Sequence, residues 1–438
     1  MAQAERDRDA LAELLPPLTR NEAAVESARC LMCYDAPCTH ACPTHIDIPK
    51  FIKKIATHNL RGSARTIFES NLLGATCARV CPVQELCEGA CVLGAERKPI
   101  AIGRLQRYAM DYAYSNGSAF FPGGKDTGKK VAIIGAGPAG LSCAGELAKR
   151  GHNVTLFEKR DLAGGLSTYG IIGLREPVEI ALAEVNMLVK LGVQIQTGKE
   201  LGANLQIADL QSSFDAVFMG VGLGVTTTLG LPGETHIIDG LDYIEQSKLD
   251  VNRLLVGRNV VVIGAGNTAI DCATIAKRLG AQQVTMVYRR SENEMTAYDH
   301  EYEFVKREGV RFSFLTQPVR VHVEDGVVTG LECMRMKLGA PDASGRPAAE
   351  PIPGSEFLFP TDQIVKATGQ EKPSLAALLN LKTEKGFIQV SDKFETNLPR
   401  VYAGGDCIRA RGAASTVMAV QDGKLAARAI HERLVAHG

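Results

Sequence analysis

The sequence predicts an α/β protein: a helical, cysteine-rich N-terminal segment followed by two nested βαβ-based domains. Three observations carry this. The run VAIIGAGPAG is a short apolar strand ending in a glycine turn, and VVVIGAGNTA repeats the pattern, with Gly135 and Gly264 separated by 129 positions. Strand and helix signals alternate between and after the two runs, the signature of a parallel sheet with crossover helices. Eight cysteines crowd the stretch Cys30–Cys91, ahead of both glycine turns.

At 438 residues the chain is long enough for about three domains. Lys and Arg number 49, as do Asp and Glu, so the formal net charge is zero. A general nucleic-acid or anionic-membrane surface needs a basic face, and none is expected. The N-terminus MAQAERDRDALAELL lacks the basic and then apolar regions of a secretion signal. No apolar run is long enough to span a bilayer. The expectation is a cytoplasmic protein, whose thiols stay reduced and serve as metal ligands rather than disulfides.

Four segments follow from this reading: a helical segment over 1–128, a first dinucleotide-binding part over 129–238, a second dinucleotide-binding domain over 239–368, and the remainder of the first over 369–438. The polar, proline-rich stretch LGAPDASGRPAAEPIPGSE reads as a loop.

In the first glycine motif, Gly135, Gly137 and Gly140 form G-x-G-x-x-G, with Pro138 and Ala139 between the last two. The first glycine allows the tight turn, the second lets backbone approach a pyrophosphate, and the third lets helix pack on strand. The phosphates then meet the helix N-terminus. Glu158 ends the next strand, 18 residues after Gly140, where a carboxylate accepts from a ribose hydroxyl. A distant segment, TNLPRVYAGGDC, resembles the second FAD motif of two-dinucleotide reductases. There Gly405 precedes Asp406, which by that resemblance holds the ribityl chain. The following helix, opening at Thr416 and Val417, would aim its N–H groups at the flavin pyrimidine end. The first cofactor is therefore expected to be FAD.

The second motif, with Gly264, Gly266, Asn267, Thr268 and Ala269, lacks the terminal acid. Tyr288 stands where Glu158 stands in the first unit, followed by Arg289 and Arg290. Arginine in place of carboxylate suits a 2′-phosphate through bidentate pairing. NADPH is expected here, with NADH the alternative. A nicotinamide site beside a flavin site implies hydride transfer between cofactors, with the protein supplying position and electrostatics. No catalytic side chain is expected, and no Ser–His–Asp set is present. Cys143, Cys272, Cys333 and Cys407 are scattered; the first two read as packing residues.

The first cysteine run is C-x2-C-x4-C-x3-C-P, from Cys30 through Cys33 and Cys38 to Cys42. It resembles the bacterial ferredoxin run, whose last cysteine reaches a second cluster. The second run is C-x3-C-P-x4-C-x3-C, comprising Cys77, Cys81, Cys87 and Cys91. Eight thiolates supply two [4Fe–4S] clusters at four each, or two structural zinc sites. Iron–sulfur chemistry fits better beside a flavin, which exchanges electrons singly or in pairs. The fold class is thus a helical N-terminal iron–sulfur domain followed by two nested Rossmann-like dinucleotide-binding domains.

Taken in order, the cysteine runs, IGRLQR, GAGPAG, GGLSTYG, GAGNTAIDC, YRR and AGGD are similar to one module. It is the electron-input module shared by dihydropyrimidine dehydrogenase, the glutamate synthase small subunit and the NADPH-binding subunit of ferredoxin:NADP oxidoreductases. Gln106 resembles the glutamine of the pyrimidine enzyme's IG-x-L-Q segment, where glutamate synthase small subunits more often read Glu. The resemblance implies that Cys30, Cys33, Cys38 and Cys91 bind one cluster, and that Cys42, Cys81, Cys87 and Gln106 bind the other. Cys77 would be spare, against the simple count. It also places Gly165 and Leu166 of GGLSTYG, and Arg175 of YGIIGLREP, near the flavin; Ile172 and Glu176 depart from the family pattern. No FMN barrel follows in the sequence. The implied role is the small subunit of a two-subunit dihydropyrimidine dehydrogenase, with an FMN- and Fe–S-containing pyrimidine-reducing partner. The alternatives are a glutamate synthase small subunit or an NADPH:ferredoxin oxidoreductase subunit.

Overall fold

A computed structural model describes residues 10–117, 120–121, 124–342, 345–409 and 415–436. The chain forms two compact units. One, the flanking unit, comprises Leu15–Thr168, Val178–Gly224 and the chain from Lys372 onward. The other, the inserted unit, comprises Tyr169–Pro177, Val225–Glu371 and the segment up to Leu14. The first dinucleotide-binding fold is therefore interrupted by the second, as the nested reading requires.

The flanking unit begins with helices whose starts are set by local chemistry. Thr19 and Glu22 form a reciprocal capping box before Arg20–Ala28. Asp47 accepts from Lys50 N at 3.2 Å and caps Ile48–Ala56. Ile48, Phe51, Ile52 and Ile55 repeat at helical spacing and are all buried. Helices Leu60–Ser70, Gly74–Val80 and Ile102–Ser115 complete the cysteine-rich segment. Phe51, Phe68 and Leu105 of these helices share one hydrophobic core with Ile133 and Leu141 of the first βαβ unit and Val420 of the C-terminal helix.

The flanking sheet is parallel and five-stranded, in the order Val401–Ala403, Ala216–Met219, Lys130–Ile134, Asn153–Phe157, Gln194–Gln196. Its edge strand Val401–Ala403 and the closing helix Thr416–Ala436 both come from beyond the insertion. That helix packs on Pro138–Ala148 at backbone distance. A Cβ added to Gly423 would sit 2.1 Å from the Ala139 carbonyl, and Ser142 Oγ donates to Val420 O at 2.7 Å.

The inserted unit repeats the plan. Its parallel sheet runs Ile238–Asp239, Gln363–Lys366, Asn259–Ile263, Gln283–Val287, Arg311–Ser313. The central strand lies 129 positions after Lys130–Ile134, the spacing of the glycine motifs. An antiparallel sheet of Thr316–Glu324, Val327–Pro341, Pro347–Pro351 and Phe357–Pro360 is added. This corrects the loop reading of the proline-rich stretch. Leu338 pairs with Ala349 and Pro341 with Pro347, so its residues 338–341 and 347–351 are strand. Prolines survive there because Pro347–Pro351 is an edge strand, where a missing N–H costs no ladder bond. No helix among the described residues is long and apolar enough to cross a membrane.

A histidine pair tests the docking of the closing helix. His152 Nε2 lies 2.8 Å from His431 Nδ1, and His152 Nδ1 lies 2.9 Å from Thr127 Oγ1. Burial, and then the neighbouring His431, lowers the His152 pKa from 6.5 to about 4. A depressed folded-state pKa means that the stability tied to neutral His152 is complete above pH 6.5 and is lost as pH falls through about 4. Denaturant unfolding followed by circular dichroism should give a midpoint that falls across that window. His152→Gln should flatten the fall; an equal fall in the variant would assign it elsewhere.

Candidate functional site

In the flanking unit four distant segments converge on the first glycine turn. Gly135 has φ +93°, and a Cβ on Gly140 would stand 1.9 Å from the Gly135 carbonyl, so neither position admits a side chain without movement. Gly137 is the N-cap of Pro138–Ala148 and no side chain caps that end. Its first-turn N–H groups are the donors a pyrophosphate would take. Glu158, at the end of Asn153–Phe157, is buried. Its Oε2 accepts from Ala136 N at 2.8 Å and its Oε1 from Arg160 N at 2.9 Å. Two oxygens with about four lone-pair sites leave room for ribose hydroxyls.

Gly164 N donates to Ala136 O at 2.8 Å, and a Cβ on Gly165 would meet Gly137 Cα at 2.6 Å. The GGLSTYG segment therefore lies against the turn, with Leu166 40% exposed beside it. Gly405 has φ +83° and approaches Ala139, to which a Cβ would come within 2.9 Å. Asp406 follows; burial raises its carboxyl and Arg409 opposes the rise. Thr416 opens the closing helix half-buried, and Val417 is buried. The sequence reading missed Asp422. Its Oδ2 accepts from Gly405 N at 3.1 Å and pairs with Arg409, and burial pushes it up to about 6. It holds the Gly405 turn from the opposite helix, and nothing in the local pattern marks it.

In the inserted unit Gly264 has φ +136°, and a Cβ there would lie 2.3 Å from Ala367 O. Gly266 is the N-cap of Asn267–Arg278, again with no side-chain cap. Asn267 Oδ1 accepts from Tyr298 N at 3.2 Å and ties the 296–298 segment over the turn; Thr268 is half-buried behind it. Tyr288 N donates to Ser313 O at 3.0 Å as Glu158 N donates to Gln196 O at 2.9 Å, so the two residues are equivalent.

The neighbouring arginines differ. Arg289 is exposed, whereas Arg290 is 3% exposed. Arg290 Nε donates to Pro347 O at 2.8 Å, and its Nη2 pairs with Asp342 at 2.5 Å. Arg290 is held by the antiparallel sheet, and Arg289 is the guanidinium open to a ligand. Arg175 is engaged too, with Asp271 at 2.9 Å and with Glu301, both within the inserted unit. Ile172 and Glu176 are fully buried in the same unit.

The cysteines sort into two groups. Cys30, Cys33, Cys38 and Cys91 line one cavity with Ile48, Ile52 and Ile100. Burial raises the Cys30 thiol and pushes Cys38 up to about 11, and nearby thiols add to both. In the second group the Cys81 thiol is hydrogen-bonded to Cys77, the largest cause of its raised pKa, and it feels Cys87 and Cys42. Burial, then Cys42, raises Cys87. Gln106 is buried, and its Nε2 donates to Gly74 O at 2.8 Å, which leaves Oε1 as an acceptor. Among the described residues no three His, Cys, Asp or Glu side chains are arranged to hold a single metal ion. Crowded, buried thiols resist ionisation together, and iron reverses this by holding them as thiolates. The donor sets fit iron–sulfur clusters in this respect.

Cysteine-rich helices joined to two nested dinucleotide folds define the class: an NAD(P)H-dependent flavin and iron–sulfur oxidoreductase. Residues 7–118 match the dihydropyrimidine dehydrogenase domain II, 4Fe-4S cluster family. Residues 129–423 match the pyridine nucleotide-disulphide oxidoreductases, and the chain belongs to that family.

The chain is 35% identical over 424 residues to the NAD-dependent dihydropyrimidine dehydrogenase subunit PreT of Escherichia coli K12, covering 97% of each. It is 35% identical over 439 residues to the glutamate synthase [NADPH] small chain of the same organism, covering 95% of this chain and 93% of that one. It is 38% identical over 429 residues to the NADP(+)-dependent formate dehydrogenase subunit beta of Moorella thermoacetica, covering 91% of this chain but spanning only 60% of that protein. Mycobacterium tuberculosis FprA in complex with NADPH shares the fold, with a TM-score of 0.57 and 20% identity over 70% of this chain and 85% of that one.

Proposed function

We propose that this chain is the electron-input subunit of a two-subunit dihydropyrimidine dehydrogenase. It takes electrons from NADPH and passes them through FAD and two [4Fe–4S] clusters. The acceptor is an FMN- and Fe–S-containing partner subunit that reduces uracil or thymine to the 5,6-dihydropyrimidine. The observation that carries this choice is Gln106, buried with its amide turned by the Gly74 carbonyl and its oxygen left as an acceptor. A glutamate synthase small subunit is the second reading, favoured by equal identity to that relative.

FAD, when bound, accepts hydride and releases electrons to one-electron carriers. The chain's own groups hold and orient the cofactors. The uncapped starts of Pro138–Ala148 and Asn267–Arg278 offer N–H groups to the two pyrophosphates. Glu158 is placed to accept from a ribose hydroxyl, Asp406 to bind the ribityl chain, and the Thr416 helix start to favour negative charge at the flavin pyrimidine end. Cys30, Cys33, Cys38 and Cys91 are assigned to one cluster, and Cys42, Cys81, Cys87 and Gln106 to the other.

The partner requirement is checked with purified protein. Alone, the chain should reduce ferricyanide with NADPH and leave uracil and thymine untouched; adding the FMN-containing subunit should start pyrimidine reduction. Uracil turnover by the isolated chain sinks the two-subunit reading, and glutamate formation with a glutaminase-type large subunit would establish the second reading instead.

Nicotinamide choice is read at Arg289. A charge-assisted phosphate contact contributes roughly 1.5–3 kcal/mol. At about 1.4 kcal/mol per factor of ten, Arg289→Ala should raise KM for NADPH about 10- to 150-fold and leave NADH unchanged. Arg290→Ala, which opens a buried pairing with Asp342, should lower the unfolding midpoint without this discrimination. A wild-type enzyme that prefers NADH would overturn the assignment.

The ligand set is checked by iron analysis and EPR on anaerobic protein. Cys77→Ser should keep both clusters, while Gln106→Ala should lose or perturb one. The reverse pattern would show that Cys77 is the ligand.

A further inference from the structure

Lys424 projects from the closing helix Thr416–Ala436 into the cysteine-rich helices of the same unit. Its Nζ donates to Thr44 O at 2.8 Å and to Ser70 O at 2.9 Å. Thr44 is fully buried, and its hydroxyl lies 3.4 Å from Cys42 Sγ. A cation carried by the helix that opens at the flavin site is thus anchored two residues from a cluster-ligand candidate. Burial lowers the Lys424 pKa, while Glu146 and Cys42 favour its charged form. A salt link to Glu146 does not account for the placement, since that carboxylate is paired with Lys149 and Arg150.

We propose that Lys424 is a positioning residue that sets the reduction potential of the cluster held at Cys42. Reduction adds one electron, and so one negative charge, to that cluster. The electron originates from NAD(P)H through FAD, and no bond or proton changes at Lys424. A fixed positive charge in a poorly screened interior stabilises the reduced form more than the oxidised one. Net charge and hydrogen bonding around the sulfurs are established levers on such potentials. Lys424 therefore raises the potential of the cluster and favours its filling from the flavin. Two carbonyls fixed by the same ammonium also hold the Cys42 loop against the closing helix, so one residue joins the flavin fold to the cluster. The inference rests on the proposed assignment of Cys42, Cys81, Cys87 and Gln106 to one cluster.

The test uses full-length holoprotein, purified anaerobically, as wild type and as Lys424→Gln, Lys424→Met and Lys424→Arg. Iron is quantified, and the clusters and flavin are titrated by EPR and absorbance. Lys424→Gln removes the charge and keeps an N–H donor on a side chain one bond shorter, so it reads the charge even where Lys424→Met loosens the loop. In Lys424→Gln and Lys424→Met, the signal that Gln106→Ala perturbs should shift to a more negative potential. The other cluster and FAD should keep their midpoints, and Lys424→Arg should behave as wild type. An unshifted potential in Lys424→Gln at full iron content overturns the inference alone, as does a shift in Lys424→Met without one in Lys424→Gln. Unchanged iron in Cys42→Ser would overturn the cluster assignment itself, and the inference with it.

Discussion

The close crossing of Pro138–Ala148 with Thr416–Ala436 is the contact on which the rest of the flanking unit depends. The Ser142 to Val420 hydrogen bond joins residues 278 apart in the chain. Gly423 lets the two backbones meet, and any side chain there would strike Ala139. Because of that approach, Gly405 reaches Ala139 and Asp422 reaches the Gly405 N–H. In sequence, Tyr169–Pro177 and Val225–Glu371 of the inserted unit fall between the two helices of this one crossing.

Buried charges do the remaining joining. Glu184 accepts from Ala75 N at 2.8 Å, Thr76 N at 3.1 Å and Thr76 Oγ1 at 2.5 Å, so one carboxylate supplies the cap that Gly74–Val80 lacks locally. Lys424 does the converse for two carbonyls. Each group makes several hydrogen bonds, and each would leave several orphaned polar atoms if truncated. The helix that Glu184 caps carries Cys77 and ends at Cys81, so this acid from the flanking sheet's crossover helix orders part of the cysteine centre.

The grouping of thiols shows where spacing stops being informative. Eight cysteines at short intervals announce metal chemistry, yet the count of eight does not say which four share a site. The structure instead brings Cys91, last of the second run, to the cavity of Cys30, Cys33 and Cys38, and leaves Cys42 with Cys77, Cys81 and Cys87. The proline-rich stretch erred the other way. Its composition reads as loop, but an edge strand tolerates proline, and Val327–Pro341 offered a partner that no local pattern could reveal.

By itself the sequence determined the α/β class, both glycine turns, the acid at Glu158, the missing acid at Tyr288 and the helical cysteine segment. Each is a local matter: a strand, a turn that demands positive φ, a capping box or a periodic apolar face lies within a few residues of chain. Tertiary structure alone decided which arginine is free. Arg289 and Arg290 are adjacent and chemically identical, and only the antiparallel sheet, through Pro347 and Asp342, closes over one of them. The same holds for Asp422 and Lys424, two ordinary helix residues in sequence. Their roles come from partners 17 and 380 positions away, a separation across which neither composition nor periodicity carries information.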